Sequence, residues 1–116
     1  MHLASISENK HKEKRIAVTP EIAKKYINLG FNITLPNNYG SYLGFSDEQY
    51  KSLGVSFLDS EEEIIKNSDV IIQLGLLSDE KLLLLKENQT IIGSLNAFSN
   101  KEKLENLKSK KINCFS

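Results

Sequence analysis

The chain has 116 residues, and its 15 basic residues balance 15 acidic ones, so one domain with a real core is expected and no strong field draws it to nucleic acid or an anionic membrane. One cysteine, Cys114, excludes an internal disulfide and reads as a small core residue in a reducing compartment. No segment nears the roughly 20 apolar residues of a membrane span, and residues 1–6 are too short for a signal-peptide core, so the protein reads as soluble and cytoplasmic.

In chain order, residues 3–7 predict a first strand and residues 8–14 a polar connection. Thr19 then caps a helix that Pro20 and Glu21 suit at its first turn. Ile22, Ala23, Tyr26, Ile27 and Leu29 form its apolar stripe, and Gly30 supplies a left-handed stop. Phe31, Ile33 and Leu35 alternate with Asn32 and Thr34 up to Pro36, a strand nearer the sheet edge than the central one. Residues 36–45 are a loop in which Gly40 and Gly44 are free to take positive φ. Ser46 with Gln49, and Ser60 with Glu63, have the capping-box spacing of two short helices, separated by Gly54 and a strand at 55–58.

Residues 69–75, Asp-Val-Ile-Ile-Gln-Leu-Gly, are the stretch around which the rest is organised. Consecutive β-branched residues leave no polar alternation, so both faces must be covered, as in the middle of a parallel sheet. Ser78, Asp79 and Glu80 start a helix in which the leucines at 82–85 are buried on two sides, followed by a strand at 90–95. Ser99 and Glu102 open a last helix carrying Leu104 and Leu107, and residues 112–115 are a final strand. Alternation of this kind predicts a doubly wound α/β domain, whose ligands bind beyond the carboxyl ends of the strands, here at Gln73, Leu74 and Gly75. A parallel strand with no covering helix after it suggests a fragment.

Little other chemistry is written in the residues. No Gly-x-Gly-x-x-Gly turn occurs to cradle a pyrophosphate. His2 and His11 stand apart from any cluster with metal-ligand spacing, so no metal is expected. Lys10, Lys12 and Lys14 read as a solvated connection. Arg15 differs, because it abuts Ile16-Ala17-Val18 and the Thr19-Pro20 helix start, where its fork can meet a carboxylate or phosphate.

The runs Arg15-Ile16-Ala17-Val18-Thr19-Pro20-Glu21, Leu29-Gly30-Phe31, Gly44-Phe45-Ser46-Asp47-Glu48-Gln49-Tyr50, Leu53-Gly54-Val55 and Ser68-Asp69-Val70-Ile71-Ile72 resemble one family across nearly the whole chain. It is the N-terminal domain shared by alanine dehydrogenase and the alpha subunit of proton-translocating NAD(P) transhydrogenase. The resemblance implies a Rossmann-like (flavodoxin-like) three-layer α/β domain with a mainly parallel sheet over residues 1–116. It also implies a separate NAD-binding domain beyond Ser116 that closes a cleft with it, and no catalysis by this segment alone.

In alanine dehydrogenases the arginine matching Arg15 holds the substrate carboxylate, helped by a lysine at the end of the central strand and a histidine after the next strand. Here Gly75 and Asn96 stand at those positions, Gln73 replaces a further lysine of the family, and Leu77 the proline. These departures favour the transhydrogenase branch, whose hydride passes between two nicotinamides with no keto acid to polarise. By resemblance, Arg15, Gln73, Gly75 and Asn96 face the cleft. NAD(H) belongs to the complete subunit and NADP(H) to a partner component. Membrane and NADP-binding subunits hold the protein at the inner membrane, and the subunit forms a homodimer. An amino-acid dehydrogenase fragment and a non-catalytic binding module are the alternatives.

Overall fold

The computed structural model describes residues 1–8, 14–94 and 100–115. Six parallel strands form one sheet: β1 (His2–Ala4), β2 (Asn32–Pro36), β3 (Ser56–Leu58), β4 (Val70–Ile72), β5 (Thr90–Ile92) and β6 (Asn113–Phe115). Their order is β3-β2-β1-β4-β5-β6, all neighbours parallel. Of the two common doubly wound orders this is the Rossmann one, with its reversal point between β1 and β4. β2 lies one strand in from the edge, as its alternation predicts.

Among the described residues the helices are α1 (Pro20–Asn28), α2 (Asp47–Lys51), α3 (Glu61–Lys66), α4 (Asp79–Leu82) and α5 (Lys101–Ser109), with a 3-10 turn at Ser41–Leu43. Their starts follow the capping residues. Thr19 accepts from the Ile22 amide, and Ser46, Ser60 and Ser78 accept from Gln49, Glu63 and Lys81. Each such cap satisfies an amide that the helix leaves unpaired, worth about 1 kcal/mol. Gly30 ends α1 at φ 97°. Asn100 stands at the N-cap of α5, while Ser99 lies outside the described residues.

The period-2 geometry of the strands divides the core by face. Ala4, Ile71 and Ile91 join Ile64, Ile65, Leu82, Leu85 and Leu107 on one side of the sheet. On the other, Leu3, Ile33 and Leu35 join Val18, Ala23, Tyr39, Tyr50 and Val55, with Val70 and Ile72 packed against them. The central strand is thus covered on both faces, the condition its unbroken apolar run demands.

Three local expectations change. Leu29 is 73% exposed, because Ala23, Tyr26 and Ile27 already complete the inward stripe and Leu29 falls at the cap. The leucine run gives one helical turn and not a doubly buried helix. Leu82 and Leu85 are buried at i, i+3, whereas Leu83 points outward at 74% exposure. Gly40 has φ −112°. Glycine is needed there for space, since a Cβ would come within 3.1 Å of the Tyr50 hydroxyl and of Phe45 Cβ. Gly44 does take a positive φ, 88°.

Candidate functional site

The strand order places the crevice of this fold where β1 and β4 part, and the residues just past their carboxyl ends meet there. Gln73 is 2% exposed. Its Oε1 accepts from the Ile6 amide at 2.7 Å and the Ser5 hydroxyl at 3.1 Å, while its Nε2 donates to the Ile6 carbonyl at 3.1 Å and to Glu8 at 2.9 Å. The side chain therefore pairs with both main-chain groups of Ile6, much as a neighbouring strand would. A lysine in its place has donors only, and would leave the Ile6 amide and Ser5 hydroxyl without that acceptor.

Beyond Gln73 the rim is main chain. The amides of Leu74 and Gly75 donate to the Glu8 carboxylate at 2.8 and 3.2 Å. Bonds of this charge-assisted kind are each worth about 1.5–3 kcal/mol. Gly75 has no side chain to offer the crevice, although a Cβ would meet only Glu8 Oε1, at 3.7 Å. The close approach of the next strand is stricter. A Cβ on Gly93 would lie 2.0 Å from the Gln73 carbonyl oxygen, so only glycine lets the ends of β4 and β5 hydrogen-bond through Gln73 to Ile92 and Ser94 to Leu74.

A chain of buried hydroxyls leads from the rim into the other half of the sheet. Ser5 Oγ lies 2.8 Å from Tyr39 Oη, and Tyr39 Oη accepts the Val18 amide at 3.1 Å. With Ser5 donating to Gln73, every proton is used if Tyr39 donates to Ser5. The path then runs in one direction from Val18 to Gln73. Tyr50 Oη donates to the Val18 carbonyl at 2.7 Å. Burial raises the pKa of both phenols, and the neighbouring ionisable groups of Tyr39 and Asp47 raise that of Tyr50 further, so both remain protonated donors at neutral pH.

Of the residues singled out by sequence, Gln73 and Gly75 are together at the rim, with the Gln73 side chain turned inward. Arg15 is exposed and lies on the segment that Val18 anchors. Asn96 lies outside the described residues. Glu8, Ser5, Tyr39, Tyr50 and Gly93 are the residues that sequence reasoning missed. A tyrosine among loop residues was the available signal, since its ring needs burial and its hydroxyl a partner. Glu8, set in a polar stretch, carried none.

Among the described residues no group of three or more His, Cys, Asp or Glu is placed to hold a metal, and no helix is long and apolar enough to cross a membrane. Residues 5–19, which connect β1 to α1, contain no glycine for close approach to a pyrophosphate, and the amides of Leu74 and Gly75 beside them are taken by the Glu8 carboxylate.

Residues 5–116 match the family model described as alanine dehydrogenase/PNT, N-terminal domain. The chain belongs to that family. It is 29% identical over 119 residues to the first part of NAD(P) transhydrogenase subunit alpha of Rickettsia prowazekii, covering 99% of this chain and 31% of that relative. It is 30% identical over 107 residues to alanine dehydrogenase 1 of Staphylococcus aureus, covering 92% of this chain and 28% of that one. The chain thus spans about a third of the length of the curated relatives it matches. In fold it superposes on a solved L-alanine dehydrogenase with TM-score 0.88 at 18% identity, covering 98% of this chain and 31% of that one. For a transhydrogenase from Sinorhizobium meliloti the TM-score is 0.85 at 20% identity, with 97% and 34% covered.

Proposed function

We propose that this chain is the first domain of the NAD(H)-binding alpha subunit of a proton-translocating NAD(P) transhydrogenase, and supplies one wall of its nucleotide cleft. The observation that carries the branch is the rim of β4. Gln73 spends its amide inside the protein, Gly75 has no side chain, and the amides of Leu74 and Gly75 are taken by Glu8. Reductive amination of a keto acid needs a cation or proton donor at the carbonyl, and this rim presents neither. Hydride transfer from NADH to NADP moves no proton to a carbonyl oxygen and asks nothing of that position.

In this reading the NAD-binding domain follows Ser116 in a longer subunit that forms a homodimer. NADP(H) is held by a partner component, and membrane subunits hold the protein at the cytoplasmic side of the inner membrane and couple the reaction to proton translocation across it. Arg15 and Gly75 face the cleft, with Gln73 behind them. The test is to express the complete reading frame with its partner component and assay both reactions. Reduction of an NADP analogue by NADH without alanine-dependent NAD reduction is expected. Alanine-dependent reduction would overturn the reading in favour of the dehydrogenase branch. A frame that stops at Ser116 would remove the nucleotide site altogether.

A further inference from the structure

Three of the chain's four tyrosines spend their hydroxyls on the main chain of residues 14–18, the short segment that carries Arg15. Tyr42 donates to the Lys14 carbonyl at 2.8 Å, Tyr39 accepts from the Val18 amide, and Tyr50 donates to the Val18 carbonyl. We propose that Tyr39, Tyr42 and Tyr50 form a clamp that positions Arg15 at the cleft, a role that rests on the reading of Arg15 as a cleft residue.

Local geometry explains why a clamp is needed. Val18 is 2% exposed, so its amide and carbonyl would each cost about 1–3 kcal/mol if left unpaired. The helix does not use them, because its first bond runs from the Ala23 amide to the Thr19 carbonyl, and Pro20 has no amide to add. The segment lies in no strand. Its register is set from the side, by phenols whose own positions are fixed. Tyr39 and Tyr50 are fully buried and meet edge to face at 6.2 Å, and Tyr50 meets Phe57 in the same way at 6.0 Å. Gly40 makes room for the Tyr50 hydroxyl.

The clamp is also joined to the rim. Through Ser5 and Gln73, Tyr39 connects to Glu8, which holds Leu74 and Gly75. Arg15 and Gly75, 60 positions apart by their numbers, thus sit on segments referenced to one hydrogen-bonded frame. Bound geometry to within fractions of an ångström is what a guanidinium fork requires.

The test is a double-mutant cycle in the complete subunit, read by NADH titration. Arg15→Ala is expected to weaken NADH binding about 10–100-fold, the value of a charge-assisted hydrogen bond. Tyr39→Phe and Tyr50→Phe are each expected to weaken it about 3–10-fold, and half-exposed Tyr42→Phe less. The same Tyr→Phe changes made in the Arg15→Ala background are expected to weaken it no further. Tyr→Phe variants that bind as wild type while Arg15→Ala does not would overturn the clamp alone. Equal losses in both backgrounds would also overturn it, marking the tyrosines as general structure. If Arg15→Ala binds as wild type, Arg15 is not a cleft residue and the clamp has no such task. Tyr42→Phe keeps the test valid should the two buried variants not fold.

Discussion

The two ends of the sheet each bury one glutamine, and they use it differently. At the amino end Gln89, 4% exposed, donates to the carbonyls of Ile65 and Ser68 at 2.7 Å and accepts from the Lys86 amide at 2.6 Å. All its partners are main chain, and the result is a tie between the end of α3 and the start of β5. At the carboxyl end Gln73 is also buried and also uses both its amide oxygen and its amide nitrogen, but its partners include the Ser5 hydroxyl and the Glu8 carboxylate. From there hydroxyls continue to Val18 and amides to Gly75. One glutamine holds chain to chain; the other holds side chains in order at the mouth of a crevice. Being buried and hydrogen-bonded therefore does not by itself set a glutamine's role. What separates them is whether the network ends in backbone or reaches a titratable group at the surface.

The severest way to break the carboxyl end is Gly93→Ala. A Cβ 2.0 Å from the Gln73 carbonyl oxygen cannot be relieved by turning a side chain, so β4 and β5 must part. A loss on the order of 4 kcal/mol is expected in denaturant unfolding. Next come Gln73→Leu and Gln89→Leu, each expected to cost about 2–4 kcal/mol, since each strips partners from several buried groups. In the complete subunit only Gln73→Leu is expected to change NADH affinity as well. Equal ligand effects from the two would erase the difference between the two glutamines.

The smallest effect is one of pH. Burial holds the Tyr39 and Tyr50 pKa values above the ordinary 10.0. The unfolded chain releases these protons first, so the folded state binds more of them above about pH 10 and stability falls there as pH rises. Below that the contribution is complete and flat. Urea midpoints measured from pH 8 to 11 should decline more steeply for wild type than for Tyr39→Phe or Tyr50→Phe, which lack one of the groups.

Much of the fold was legible because each element carried a local signal. Four Ser or Thr caps, the stop at Gly30 and the unbroken run in β4 act over a few residues, and the structure uses each as its chemistry suggests. The rim was legible only in outline. Residues 73–75 were placed by a rule of topology, but the partners of Gln73 lie 65 to 68 positions away, and no local pattern announces such contacts. The same holds for Gly93, whose glycine is required by a strand that arrives from elsewhere in the chain. Leu83 failed in the opposite sense: four leucines suggested burial, whereas one helical turn has only one inward face.

Hydrogen exchange at the Val18 amide shows whether buried phenols hold the segment carrying Arg15. This amide lies outside any strand or helix, yet it is expected to exchange as slowly as the amides of β4, and Tyr39→Phe, by removing its acceptor, is expected to speed it about tenfold or more. A Val18 amide in the wild-type protein that exchanges at the rate of an open loop would mean that the phenols do not hold this segment.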